Sequence, residues 1–266
     1  MLQGKRLAVL GVGTIGEALI KGLSGRDDVS VDVIGTVKRS ESLERVRQLG
    51  VEATLDNRAA VAGRDVVVLA VKPQVMEALL TDLKGALEPK TLVISVAAGV
   101  RTGRMEELLG GQPVVRVMPN TPCVLGQGMS VLCGGTHASE EQLNLAQALF
   151  DMVGRTAVLD ESLMDAVTGL SGSGPAYVYL VIESLAEAGV KVGIPRDVST
   201  LLAAQTVLGS AEMVLRMGAH PALLKDAVTT PAGCTVDGLM ELEEGKLRVT
   251  LLKAVVRATE RARELG

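Results

Sequence analysis

The residues best placed to do chemistry lie in three stretches, and none of them is an acid–base pair or a nucleophile set. Gly11-Val12-Gly13-Thr14-Ile15-Gly16 follows the apolar run Leu7-Ala8-Val9-Leu10 and precedes an apolar-periodic segment containing Ala18, Leu19 and Leu23. Strand, glycine turn and helix in that order form a dinucleotide-binding signature. Gly11 permits the turn, Gly13 lets backbone N–H groups approach a pyrophosphate, and Gly16 lets the helix lie close against its strand. The second stretch, Thr168-Gly169-Leu170-Ser171-Gly172-Ser173-Gly174-Pro175-Ala176-Tyr177, puts hydroxyls and glycines directly ahead of an expected helix N-terminus, a place for an anion or polar ligand. It is not a nucleophile elbow, because Ser173 stands where that motif needs glycine. The third stretch spans residues 226–239. There the hydroxyls of Thr229, Thr230 and Thr235 and the N–H groups opening the next helix could receive a carboxylate. Cys123, Cys133 and Cys234 lack metal-ligand spacing, so no metal site is expected.

The elements around these stretches alternate strand and helix as far as residue 160. Residues 26–28 turn the chain into a second strand, 29–34, whose far end reads Gly35-Thr36-Val37-Lys38-Arg39-Ser40. An NAD-specific fold carries an acid near that end, and Asp32 lies too early to serve. Two cations and two hydroxyls suit a ribose 2′-phosphate instead, which favours NADPH over NADH. The alternative is a solvated turn ahead of a helix capped by Ser40. A helix over 41–49, a strand over 51–54, a helix over 57–62 and a fully apolar strand over 65–71 follow. The last runs into Lys72-Pro73, with Pro73 opening the next helix and Lys72 at the carboxyl end of the sheet, either on the cofactor or simply solvated. After a strand over 91–96, the small residues Ala97-Ala98-Gly99 leave room for a flat ring. A short helix and a strand over 114–117 lead to Met118-Pro119-Asn120-Thr121-Pro122, a stiff polar turn that positions a ligand or closes the sheet. Strands over 128–133 and 155–159 flank a helix opened by the capping box Ser139-x-x-Gln142 and ended by Gly154. Continuous apolar strands separated by helices predict a Rossmann-like, doubly wound α/β sheet over residues 1–160.

From residue 161 to 266 the pattern is helical throughout, broken at Gly174-Pro175, Gly193-Ile194-Pro195, His220-Pro221 and Pro231-Ala232-Gly233, with Pro175, Pro195 and Pro221 suited to first turns. The segment 175–192 is apolar nearly all round. Such a helix is buried, and about a hundred residues can hardly hide it alone. Burial against a second subunit is the expected solution, a central helix within one monomer the alternative. A net charge of -4 without a basic cluster excludes a nucleic-acid surface. With 47% apolar residues but 1% aromatic, the core is built from Val, Leu, Ala, Met and Gly. No leader and no apolar run of membrane-spanning length is expected, and the odd number of cysteines fits a reducing compartment, so the expectation is a cytoplasmic protein.

Taken together, these stretches resemble the pyrroline-5-carboxylate reductases over essentially the whole length. The resemblance is carried by Gly11 to Gly16, Ala70-Val71-Lys72-Pro73, Ala97-Ala98-Gly99-Val100, Met118 to Pro122, Ser171 to Tyr177 and Val228 to Thr235. It implies reduction of the imine of 1-pyrroline-5-carboxylate to L-proline by NADPH or NADH. It also implies an N-terminal dinucleotide domain, an all-helical C-terminal domain interlocked with a partner's in a homodimer, and possible rings of dimers.

Position by position, the resemblance puts Gly11, Val12, Gly13, Thr14, Ile15, Gly16, Thr36, Lys38, Arg39, Ser40 and Asn57 on the adenosine and phosphate side of the cofactor. Ala70, Val71, Lys72, Pro73, Ala97, Ala98, Gly99 and Asn120 fall along its remainder. Ser171, Ser173, Val228, Thr230, Gly233 and Cys234 fall to the substrate, and the Thr235 hydroxyl to its ring nitrogen. Because a cyclic imine takes a proton from water and the cofactor carries the hydride, the absence of a strong side-chain acid is expected.

Two positions depart from the family's pattern. Ala232-Gly233-Cys234-Thr235 replaces a Gly-Gly start, which strains the loop if position 232 needs a positive φ. Met217-Gly218-Ala219 lacks an acid common before His220-Pro221. Both are expected to tune affinity without abolishing activity. A related imine reductase or a β-hydroxyacid reductase is the enzymatic rival. The latter would need a lysine motif that neither Lys191 nor Lys225 provides. A non-catalytic NADPH-binding regulator leaves the Thr229 to Thr235 loop unexplained, and a purely structural helical oligomer leaves the glycine loop unexplained.

Overall fold

A computed structural model describes residues 1–24 and 30–265; the expected turn over 26–28 and the start of the second strand lie outside these residues. The chain divides into two compact units, residues 1–173 with 257–266, and residues 174–256.

The first unit is an eight-stranded sheet. Its strands are β1 (Arg6–Leu10), β2 (Asp32–Thr36), β3 (Glu52–Thr54), β4 (Val66–Leu69), β5 (Leu92–Ser95), β6 (Val114–Met118), β7 (Gly128–Gly134) and β8 (Gly154–Val158), in the spatial order β3-β2-β1-β4-β5-β6-β7-β8. The helices between them are α1 (Thr14–Ser24), α2 (Leu43–Arg47), α3 (Asn57–Val61), α4 (Met76–Leu83), α5 (Thr102–Leu109) and α6 (Glu140–Phe150). β4, all valine and leucine, is buried at every position. Parallel strands covered on both faces need no polar face, which is why its apolar run is continuous. The core lies in separate clusters, one around Leu19, Ile94 and Phe150, another around Leu69, Leu80 and Met105.

One pair departs from the all-parallel pattern: β6 and β7 run antiparallel, with Arg116 opposite Cys133. Only residues 119–127 join them, too few for the crossover that parallel neighbours require. The helix 41–49 is also corrected. A 3-10 turn over Ser40–Ser42 precedes the short α2, and neither Ser40 nor Ser42 caps through its side chain. The capping box at Ser139 and Gln142 forms with both hydrogen bonds. Gly154, however, does not end that helix. α6 stops at Phe150, a 3-10 turn follows, and Gly154 opens β8 with φ 152°. A Cβ there would lie 2.0 Å from the Gly128 carbonyl oxygen, so close strand contact, not a helix cap, requires the glycine.

Beyond β8 the chain is helical: α7 (Met164–Val167), α8 (Gly174–Lys191), α9 (Arg196–Met217), α10 (Pro221–Ala227), α11 (Cys234–Glu244) and α12 (Leu247–Leu265). Pro221 is the first residue of α10 and Pro175 the second of α8, whereas Pro195 stands just before α9. Within the second unit α8 and α9 pack as a pair. The Ser199 hydroxyl donates to the Ala186 carbonyl at 2.6 Å, and Gly189 faces the same hydroxyl. By length and composition α9 is apolar enough to cross a membrane, against the sequence expectation. Ser, Thr and Gln interrupt its apolar run, but no charge falls between Asp197 and Glu212.

Candidate functional site

The glycine loop sits at the carboxyl end of β1, beside the point where the strand order reverses between β2 and β4, where open α/β sheets take ligands. Gly11 has φ 81°, and a Cβ on it would lie 2.6 Å from Val71 Cγ1 and 3.3 Å from the Ala70 carbonyl. It therefore serves both the turn and the approach of the Ala70-Val71 segment. A Cβ on Gly16 would lie 3.0 Å from Val9 Cγ1, as close helix–strand packing demands. A Cβ on Gly13 would meet nothing nearer than 3.9 Å and would project into open space, the cradle that a pyrophosphate needs free. The first α1 N–H groups, from Thr14, Ile15 and Gly16, have no acceptor one turn back.

Thr36 pins the loop. Its carbonyl accepts from the N–H groups of Gly11 (3.2 Å) and Val12 (2.8 Å), and its buried hydroxyl accepts from Gly11 N–H while donating to Asn57 Oδ1 at 2.7 Å. Thr36 and Asn57 thus form one hydrogen-bonded pair under the loop. Lys38 and Arg39 are exposed and line a cleft of about 270 Å³ with Gly11, Gly13, Ser42 and Arg45. Arg39 Nη1 lies 3.8 Å from Glu41 Oε1. Ser40 and Thr36 do not line this cleft, and sequence reasoning missed Ser42 and Arg45. Their signal was weak, since a helical Arg three residues past a serine is usually a solvated face. Three cations and a serine around an open glycine loop fit a phosphorylated dinucleotide.

Lys72 and Pro73 are exposed after β4, Pro73 opening a 3-10 turn ahead of α4. Ala97 is buried beside the half-buried Ala98 and Gly99, whose φ is 79°. Asn120 is held at both ends of its amide: its Oδ1 accepts from Met129 N–H at 2.8 Å and its Nδ2 donates to Ser171 Oγ at 3.3 Å. The turn around it therefore closes the sheet onto the segment carrying Ser171. A second tie lies below, where buried Arg116 reaches Glu161 (3.4 Å) and Asp165 (3.8 Å). Glu161 in turn accepts from the backbone N–H and hydroxyl of Thr102 at the start of α5.

The segment 168–177 corrects the expectation of a free helix N-terminus. Thr168–Gly172 is a π-helical turn continuing α7, and Ser173 N–H donates to the Thr168 carbonyl at 2.9 Å before α8 begins. A terminus fed by a preceding helical turn has fewer unsatisfied N–H groups to offer an anion. Ser171 and Ser173 remain half-buried hydroxyls.

The third stretch keeps its expected form in the second unit. α10 ends at Ala227, an irregular loop follows, and Gly233 stands at the N-cap of α11 with no side-chain cap. The N–H groups of Cys234 and Thr235 therefore face the loop without an intrahelical acceptor. Gly233 N–H donates to the Thr230 carbonyl at 3.0 Å, and the Thr229 hydroxyl donates to the Lys225 carbonyl. Val228, Thr230 and Cys234 are exposed, Thr235 half-buried. Ala232 does adopt the left-handed conformation, with φ 55°.

Comparison with known proteins covers the whole chain. Residues 161–265 match the model "Pyrroline-5-carboxylate reductase dimerisation", and residues 6–99 match "NADP oxidoreductase coenzyme F420-dependent". A pyrroline-5-carboxylate reductase of Arabidopsis thaliana is 42% identical over 263 residues, 98% of this chain and 95% of that protein. Among solved structures, a pyrroline-5-carboxylate reductase from Coxiella burnetii superposes with a TM-score of 0.93 at 36% identity, covering 98% of each chain. The pyrroline carboxylate reductase of Plasmodium falciparum, solved with NADP bound, gives a TM-score of 0.89 at 32% identity over the full length of both.

Proposed function

Because the chain belongs to the pyrroline-5-carboxylate reductase family, we propose a division of labour in which the glycine-loop cleft of the first unit takes the cofactor and the Thr229 to Thr235 loop of the second takes the substrate. The enzyme is an NAD(P)H-dependent oxidoreductase that reduces 1-pyrroline-5-carboxylate to L-proline in proline biosynthesis. Its cofactor is NADPH, which supplies the hydride when bound. NADH is the second candidate donor. The single observation that carries the preference for NADPH is the cleft in which Lys38, Arg39 and Arg45 surround the open face of Gly13.

On this reading Gly11, Val12, Gly13, Thr14, Ile15 and Gly16 bind the pyrophosphate. Lys38, Arg39 and Ser40 serve the 2′-phosphate, with Thr36 and Asn57 as the buried support of the adenosine side. Ala70, Val71, Lys72, Pro73, Ala97, Ala98 and Gly99 line the rest of the cofactor, and Asn120 supports it from the sheet. The substrate carboxylate meets Thr230 and the backbone of Gly233 and Cys234, with the Cys234 N–H as the free donor, beside Val228, and Thr235 Oγ1 hydrogen-bonds the ring nitrogen. Ser171 and Ser173 add polar contacts to the substrate. The uncapped start of α11 supports the carboxylate role, because an anion there replaces the missing cap. No residue need donate a proton strongly, since the imine is protonated from water; the protein's work is to bind and orient.

Residues 1–160 form the dinucleotide-binding domain, and 161–266 the substrate-binding and dimerisation domain. The enzyme is a homodimer through its C-terminal helices, and rings of such dimers are the larger assembly we propose. Its three free thiols support a cytoplasmic place of work.

The first test is the initial rate of reduced-nicotinamide oxidation with 1-pyrroline-5-carboxylate, with NADPH and NADH side by side. Imine-dependent oxidation, faster at low NADPH than at low NADH, is expected. Oxidation independent of the imine overturns the substrate. Thr235→Ala should lower kcat about tenfold or more at unchanged cofactor affinity, as expected for loss of an oriented hydrogen bond at the reacting centre. Unchanged turnover would remove Thr235 from the reaction.

A further inference from the structure

Beside the glycine loop, one arginine is held at two points. Arg45 Nη2 donates to the Val12 carbonyl at 2.7 Å, while Nη1 pairs with Glu17 Oε2. The other oxygen of Glu17 lies 2.8 Å from Lys21 Nζ. Glu17 stands in the first turn of α1, and Arg45 on α2 lines the cleft with Lys38, Arg39 and Ser42. A single carboxylate outside the cleft thus touches one of the three cations that form its wall.

The charges around the cleft are unequally compensated. Lys38 has no ion-pair partner among the described residues, and Arg39 reaches Glu41 only at 3.8 Å across solvent. Arg45 alone is in direct contact with an anion. That anion stays ionised, because the hydrogen bond from Lys21 and the nearby charge of Arg45 hold the Glu17 carboxyl below its usual range. An anion touching Arg45 cancels much of the field that the guanidinium projects across a few ångströms. A 2′-phosphate feels the difference through its charge; a 2′-hydroxyl does not.

We propose that Glu17 is a cofactor-specificity residue: through its contact with Arg45 it sets how strongly the cleft favours a ribose 2′-phosphate over a 2′-hydroxyl. The inference rests on the 2′-phosphate reading of Lys38 and Arg39 given above. Arg45 also fixes the Val12 carbonyl, so it affects both cofactors; the charge of Glu17 bears on the pyrophosphate that both share and distinguishes them only at the 2′-phosphate.

The experiment measures dissociation constants of NADPH and NADH for the full-length protein by nicotinamide fluorescence at low salt, with thermal midpoints confirming folding. Glu17→Gln keeps an oxygen for Arg45 but removes the charge. The ratio Kd(NADH)/Kd(NADPH) should rise about threefold, and the rise should shrink at high salt, as screening requires. Arg45→Ala should lower the ratio several-fold, and adding Glu17→Gln in that background should raise it by clearly less than in the wild type, because Glu17 without Arg45 is no longer tied to the cleft wall. A ratio that is unchanged or falls in Glu17→Gln, or that shifts equally without Arg45, overturns the proposal. If Glu17→Gln does not fold, an unchanged ratio in Arg45→Ala overturns it alone. Lys38→Ala and Arg39→Ala separate the two layers. If they lower the ratio while the Glu17 and Arg45 variants do not, only this inference fails. If they too leave it unchanged, the 2′-phosphate reading fails with it.

Discussion

The two units of this chain treat their apolar residues in opposite ways. In the first, β4 and β5 are buried at every position, and Phe150, the one phenylalanine of the chain, is wholly enclosed. In the second, α8 buries only Ala186, α9 only Ser199 and Ala203, and α10 and α11 bury nothing. Yet Tyr179, Leu180, Leu201 and Leu208 are each more than half exposed. Exposed apolar residues in such number on neighbouring helices mark an interaction site. The sheet unit thus completes its core within one chain, whereas the helical unit, whose residues match the dimerisation model, leaves its apolar helices uncovered within one chain. α9, whose length and composition would let it cross a membrane, is among these uncovered helices.

The comparison breaks most visibly at the exposed apolar helices. Leu201→Glu with Leu208→Glu should cost two unpaired buried charges, weaken the dimer by a thousandfold or more, and yield monomers by sedimentation. A dimer of unchanged affinity would show that these faces are not covered by a partner. On the other side, Phe150→Ala should destabilise the sheet unit by about 3–5 kcal/mol. Because the loss lies inside one chain, the destabilisation read by denaturant titration should be the same at low and high protein concentration.

Smaller effects sharpen the chemical contrast between the units. Arg39→Ala should raise the Michaelis constant for NADPH about tenfold and that for NADH little, about 1.4 kcal/mol of charge-assisted binding to phosphate. Equal effects on both would move the 2′-phosphate elsewhere. In the substrate loop, Ala232→Gly should relieve a left-handed alanine and stabilise the loop by about 1 kcal/mol, read as slower hydrogen exchange over 228–235. Within the sheet, burial and then the charge of Glu161 push the Cys133 thiol up to about 12. The unfolded chain loses that proton near the ordinary thiol value, so the folded state binds more protons above it. Stability should therefore fall as pH rises from that value toward 12, and the fall should be smaller in Cys133→Ala, where the buried Cys123 thiol, also pushed up by burial, still contributes. At neutral pH an alkylating reagent should label exposed Cys234 and spare Cys133.

The sequence by itself determined what depends on neighbours along the chain. The glycine loop, the capping box at Ser139 and Gln142, the buried valine strand, the uncapped helix after Gly233 and the strandless second half are all set by local periodicity and turn chemistry. The strain at Ala232 was legible only through the resemblance, which has glycine at that position, and the positive φ itself came from the structure. Only the tertiary structure decided the rest. Arg45 meets Glu17 across 28 positions, Arg116 meets Glu161 across 45, and Asn120 meets Ser171 across 51. Such pairs exist because the sheet order lays distant strands and helices side by side, and no periodicity in the chain encodes which charge will face which. The antiparallel turn of β7 and the π-helical turn at Thr168 belong with them. Both are set by how a segment must lie to satisfy its backbone against elements that local sequence does not contain.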